Sequence, residues 1–184
     1  MQEVDGIRVV RLWTWQPGSG DPGFASRMAY YLSFPVHAAL WLLFTRIRFD
    51  AIMTSAPPLF TGIPGGYVLK RTSRVKWILD IRDLWIDASI GLGFLREGSL
   101  YERLSRRFEQ ACLDQADLVG VTTEELGRRI SLRYRVTAPM ELLPNGVNTE
   151  FFRPTDGGKK RQIIYAATSG TPRISTRWLS PSSR

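Results

Sequence analysis

Val75-Lys76-Trp77-Ile78-Leu79-Asp80-Ile81-Arg82-Asp83-Leu84-Trp85 decides how this chain is read. Its first half is a short apolar run of the kind that forms a buried strand. Its second half sets Asp80, Arg82 and Asp83 where that strand ends. In open α/β sheets ligands gather outside the carboxyl ends of the strands. Two carboxyl groups and a guanidinium beside an indole are costly to desolvate unless paired. The stretch therefore reads either as an internal Arg–Asp clamp with a helix cap, or as one wall of a ligand site.

Working outward, strands and helices alternate. Gly6 to Trp13 is β-branched and alternating, and reads as a strand. Phe24 to Arg48 reads as a long apolar helix or helix pair, bent or broken at Pro35. Arg46 and Arg48 stand at its end. It suits either a packed core or the surface of a membrane. Asp50 to Thr54 is the next strand, and Ser55-Ala56-Pro57-Pro58 launches a helix from Leu59 to Lys70. Gly62, Gly65 and Gly66 in that helix allow close packing on the sheet.

Beyond the opening stretch, Asp87 to Gly93 reads as a loop. A helix follows from about Gly98 to Gln115, with Tyr101, Leu104, Phe108, Ala111 and Cys112 as its apolar stripe and Arg103, Arg106 and Arg107 on a solvated face. Ala116 to Val121 is a strand. Thr122 or Thr123 caps a helix through about Leu132, with Glu125 at capping-box spacing from Thr122. Met140 to Leu143 is a last strand, followed by a turn at Asn145-Gly146. Alternation of this kind calls for a doubly wound, Rossmann-like parallel α/β sheet.

Composition narrows the function. The formal net charge is +8, but six of the 25 basic residues lie after Gly157, where there is no acid. Residues 1–156 hold 19 basic and 17 acidic groups, so the body carries no nucleic-acid footprint. One cysteine and one histidine, Cys112 and His37, exclude an internal disulfide and a zinc cluster. The longest apolar stretch, Ala29 to Phe44, falls short of the roughly 20 residues of a spanning helix. Gly18, Gly20 and Gly23 match a dinucleotide G-x-G-x-x-G, but Thr14 to Pro17 separates them from the strand and Pro22 interrupts them. A surface loop fits better than a dinucleotide site.

Several segments in this order form a set: Asp5 to Arg11, Ser55 to Pro58, Asp80 to Trp85, Ala116 to Val119 with Val121 to Leu126, and Leu143 to Phe152. The set resembles the N-terminal domain of a family 4 glycosyltransferase of the GT-B fold, close to enzymes of cell-wall, capsule or O-antigen polysaccharide assembly in the cell envelope. The resemblance implies a partial, acceptor-side Rossmann-like domain over 1–152, with two strands of the family pattern absent ahead of it. It further implies a link and first strand of a second domain over 153–166, and a disordered tail over 167–184. Without those strands, Gly6–Trp13 would lack a neighbour and Asp50–Thr54 would lie at an edge.

The activity implied is transfer of a sugar, with retention, from a nucleotide-diphosphate sugar to a lipid-linked or polysaccharide acceptor. No metal or other cofactor is implied. On this resemblance Asp80 and Asp83 are the catalytic candidates; Arg82, Trp85, Ser55, Thr122, Glu124 and Asn145 are candidate substrate-binding residues. Asn148 stands where the family usually has Asp. The expected setting is cytoplasmic, peripheral at the inner membrane face through Phe24–Arg48, with no nucleic-acid partner. The alternative is a catalytically inactive fragment serving as a membrane-surface or protein-binding module.

Overall fold

The computed structural model describes residues 2–16, 18, 24–64, 66, 75–153, 168–169 and 173–174. It divides into two units, Met1–Asn145 and Gly146–Arg184.

The first unit is built on a parallel four-stranded sheet. Its strands are β3 (Ala51–Ala56), β4 (Lys76–Ile81), β5 (Leu118–Val121) and β6 (Met140–Leu142), side by side in chain order. Helices occupy the connections, so the unit is a Rossmann-like α/β layer structure. One sheet face carries Trp77, Leu79, Ile81, Val119 and Val121, which form the core with Cys112, Leu113, Leu126 and Ile130. Trp77 is wholly enclosed, and its indole N–H donates to the Thr54 hydroxyl at 2.9 Å. A Cβ at Gly66 would come within 2.4 Å of its ring. The helix over this strand lies that close only because glycine stands there.

Several sequence expectations are corrected. Gly6–Trp13 is not a strand of the main sheet. β1 (Gln2–Val4) and β2 (Ile7–Val9) form a separate antiparallel hairpin. Its two central residues, Asp5 and Gly6, have φ of 51° and 77°, as a two-residue hairpin turn demands. β3 is an edge strand among the described residues.

α1 (Phe24–Phe44) runs unbroken through Pro35 and ends before Arg46. Leu59–Thr61 is a 3-10 turn. Helical backbone continues at 62–64 and 66, and the remainder of the helix expected to Lys70 lies outside the described residues.

Asp87 to Gly93, read as a loop, is largely helical: α2 spans Trp85–Gly91, with Ile86 and Ser89 buried. α3 (Leu100–Gln115) is capped by Ser99, whose hydroxyl accepts from the Glu102 N–H at 3.2 Å. Its inward face keeps only part of the predicted stripe, with Cys112 in the core and Phe108 packed against it. Tyr101 and Leu104 are exposed, whereas Glu102, Glu109, Cys112 and Leu113 are buried. Arg106 is not solvated either. It bonds Glu102 at 2.7 Å, Asp87 at 3.1 Å and the Tyr134 hydroxyl at 3.3 Å. Asp87 also takes Arg133, and Tyr134 donates to Glu109. Charges on three helices thus neutralise one another under the sheet, which a stripe of apolar residues does not anticipate.

α4 (Glu124–Arg133) is capped by Thr123, which accepts from the Leu126 N–H at 3.1 Å. Glu125 does not complete a box with Thr122; it pairs with Arg128 and Arg129. Among the described residues no helix is long and apolar enough to cross a membrane.

In the second unit, the Asn148 side-chain oxygen accepts from the N–H groups of Glu150 and Phe151 at 2.9 and 3.1 Å. An amide oxygen supplies the turn acceptor that a carboxylate would. Most of 154–184, including the expected link strand, lies outside the described residues. Within the tail read as disordered, β7 (Thr168–Ser169) pairs antiparallel with β8 (Arg173–Ile174).

Candidate functional site

All four parallel strands deliver their carboxyl ends to one sheet edge, the position at which such sheets bind ligands. Ser55 arrives from β3, Asp80 and Arg82 from β4, Thr122 and Glu124 after β5, and Asn145 after β6. Register sets Ser55 beside Asp80 and Asp80 beside Gly120. Side chains in a cross-strand row share a face, so Ser55 and Asp80 meet although 25 residues separate them.

Asp80 is 2% exposed. Its Oδ2 accepts from the Ser55 hydroxyl at 2.8 Å and forms an ion pair with Arg82 Nε at 3.1 Å. Its Oδ1 is buried without a hydrogen-bond partner. That oxygen lies 3.5 Å from where a Gly120 Cβ would sit, and the Leu143 side chain would be 2.5 Å from the same point. The carboxyl is therefore sealed beneath Leu143 and holds its neighbours rather than facing solvent.

Arg82 extends the other way. Its side chain is 47% exposed while its Nε is held by Asp80, and its backbone N–H is tied to the Ala56 carbonyl at 2.8 Å. The terminal guanidinium nitrogens project from an anchored base, the arrangement suited to bidentate capture of a carboxylate or phosphate. Asp83 is exposed; its Oδ1 accepts from the Leu84 N–H at 2.8 Å. The clamp and the exposed pair thus coexist. Asp80 supplies the first, and Arg82 with Asp83 the second.

Trp85 opens α2 half-buried. Its ring meets Tyr31 of α1 edge-on at 5.8 Å and Phe60 of the 3-10 turn at 6.5 Å, and Phe60 meets Phe108 of α3 at 5.9 Å. The indole fixes the start of α2 relative to α1 and the 3-10 turn. Thr122 is half-buried at the end of β5; Glu124 and Asn145 are exposed.

Asp87, Tyr134 and Arg106, the last read from sequence as solvated, have a role that sequence reasoning did not assign. They secure α2, and hence the segment following Asp83, to α3 and the chain after α4. Asp87 lies four residues after Asp83, but its partners are 19 and 46 residues further on, and no local pattern announces them.

A family model described as a glycosyl transferase 4-like domain matches residues 1–146. No curated protein matches the chain.

Proposed function

The chain belongs to the glycosyl transferase 4-like family, and on that premise we propose that the strand-end edge binds the acceptor of a sugar transfer. The donor is a nucleotide-diphosphate sugar, the acceptor a lipid-linked or polysaccharide hydroxyl of the cell envelope, and the anomeric configuration is retained. The observation that carries this is the division of labour at β4. Asp80 is buried and holds Arg82 by Nε, while Arg82 and the next residue, Asp83, are both exposed.

In this scheme Asp83 accepts the hydrogen bond of the acceptor hydroxyl and directs its oxygen to the anomeric carbon. The bond from that carbon to the diphosphate oxygen breaks as the new glycosidic bond forms on the same face, and the hydroxyl proton leaves with the diphosphate. Arg82 pairs with a phosphate or carboxylate of the acceptor. Asp80, a catalytic candidate by sequence, becomes a positioning residue acting through Arg82. Ser55, Thr122, Glu124 and Asn145 line the same edge and contribute hydrogen bonds to the acceptor, while Trp85 shapes it through its aromatic contacts. Catalysis of this kind draws on positioning and on polar groups aimed at developing charge, with no metal or other cofactor in the proposed scheme.

The test is glycosyl transfer from labelled nucleotide sugars to lipid-linked acceptors, with the product anomer assigned by NMR. In an enzyme that also carries a donor-binding domain, Asp83→Asn should lower turnover about a hundredfold or more with an unchanged unfolding midpoint. Full activity of that variant would overturn the assignment of Asp83. Failure of the chain to bind any nucleotide sugar by calorimetry would favour a non-catalytic binding module.

A further inference from the structure

We infer that Arg106, acting through Asp87, is a positioning residue for Asp83: it sets the direction in which α2 leaves the end of β4, and so aims the Asp83 carboxyl. The inference rests on the acceptor role proposed for Asp83 and deepens it.

α2 does not set its own direction. It has seven residues, about two turns, too few to hold a helix in water without tertiary support. Leu84, which precedes it, supplies no side-chain cap. Asp83 is joined to this helix through its side chain. Its Oδ1 accepts from the Leu84 N–H at 2.8 Å, and the Leu84 carbonyl accepts from the Ala88 N–H at 2.9 Å. Where the first turn points, the carboxyl follows. Arg82, one residue earlier, is fixed separately, by Asp80 and by the Ala56 carbonyl.

Two kinds of contact hold α2. Ile86 and Ser89 are buried, which keeps the helix packed, but burial is non-directional and does not select an angle. Direction comes from Asp87 in the first turn. Its Oδ1 accepts from Arg106 Nη2 at 3.1 Å and also from Arg133. Arg106 is itself fixed: its Nε donates to Glu102 at 2.7 Å and its Nη1 to the Tyr134 hydroxyl at 3.3 Å. Glu102 in turn accepts from the Gly98 N–H at 2.6 Å. All three nitrogens of a planar fork are thus engaged, by partners on three segments of the chain. A guanidinium so occupied presents its remaining donor at one angle, and the place of α3 is transmitted to α2. Side chains of Arg106 and Asp87 keep 29% and 25% exposure, so solvent screens the pair and limits its share of stability. Its geometry is not diminished in the same way.

The experiment is amide NMR on the full chain, its Asp87→Asn and Arg106→Lys variants, and the milder Arg133→Gln, which leaves Arg106 on Asp87. Asp87→Asn should speed hydrogen exchange of the Ala88 N–H about tenfold or more and shift the Leu84 resonance, with Arg82 N–H exchange altered less than about twofold. Arg106→Lys keeps the charge but not the fork and should do the same; Arg133→Gln should act in that direction more weakly. In an enzyme that also carries a donor-binding domain, Asp87→Asn should lower kcat about tenfold. The acceptor KM should change less than about twofold, because Arg82 keeps its place. A role in stability alone would loosen Arg82 and Ala88 together, or leave kcat intact while Asp83→Asn abolishes it; either result overturns the inference, as does wild-type behaviour of Arg106→Lys. Full activity of Asp83→Asn would instead overturn the role of Asp83, and the Ala88 and Leu84 amides would still decide whether Arg106 directs α2.

Discussion

Ser55 and Asp80 face each other across the β3–β4 register and share a hydrogen bond of 2.8 Å, which ties a buried acid of the sheet to the neighbouring strand. Arg82 closes the arrangement from the following turn at 3.1 Å.

Loosening that clamp should weaken both the fold and the position of Arg82. Asp80→Asn leaves an acceptor for Ser55 but puts an amide where Oδ1 now lies sealed, and should cost about 1–3 kcal/mol in urea denaturation. Ser55→Ala should cost about 1 kcal/mol. The double substitution should be less destabilising than the sum, because Asp80→Asn weakens the bond that Ser55→Ala removes. Strict additivity would show that the two side chains do not interact in solution.

Stability should fall as pH rises above the ordinary glutamate range, on account of Glu109. Burial holds its carboxyl above the usual glutamate range, with the Tyr134 hydroxyl bond acting in the opposite direction. A carboxyl whose folded pKa is raised binds its proton more tightly in the fold. Its favourable contribution is complete below about 4.5 and is lost as pH climbs through the raised value. Glu109→Gln keeps an acceptor for Tyr134 and should flatten this slope between pH 4 and 8. A slope identical to wild type would exclude Glu109 as its source. Glu125 works with the opposite sign: Arg128 and Arg129 depress it to about 2. Its small surface contribution is present above about 4.5 and disappears as pH falls toward 2.

Gly66→Ala should destabilise by about 1–3 kcal/mol, since the new methyl would sit 2.4 Å from a Trp77 ring atom and the ring is held by Thr54. Trp77→Phe removes part of the crowding ring, so it should reduce the cost of Gly66→Ala when the two are combined. Thermal unfolding of the four proteins of this cycle decides it; an undiminished cost in the pair would place the conflict elsewhere.

Cys112 should resist modification in the folded chain. Burial pushes its thiol up to about 12, and the side chain is 2% exposed. Dithionitrobenzoate at pH 8 should label it only at the rate of unfolding, and promptly in denaturant. Fast stoichiometric labelling of native protein would mean that the helix layer opens.

Much of the sheet was legible because Asp50–Thr54, Val75–Leu79 and Ala116–Val121 are β-rich runs bounded by turn residues. What escaped had non-local causes. The hairpin at Asp5-Gly6 was hidden by the longer apolar alternation from Gly6 to Trp13, although that dipeptide between valine and isoleucine is itself a turn signal. α2 was obscured by Gly91 and Gly93, which end it rather than prevent it. The inward turn of Arg106 depended on Asp87 and Tyr134, partners supplied by other elements. At the candidate site, sequence located Asp80, Arg82 and Asp83 on one strand end. Only register, bringing Ser55 alongside, distinguishes the carboxyl that is enclosed from the one that is open.

The strand order β3-β4-β5-β6 repeats the order of synthesis. A nascent chain growing from its N-terminus therefore never waits for a later strand to complete an earlier pairing within this sheet. When β4 emerges, β3 has been made, and when β5 emerges, β4 has. Each step closes one neighbouring crossover instead of inserting a strand between two others, so the loop-closure cost is met in small instalments along translation.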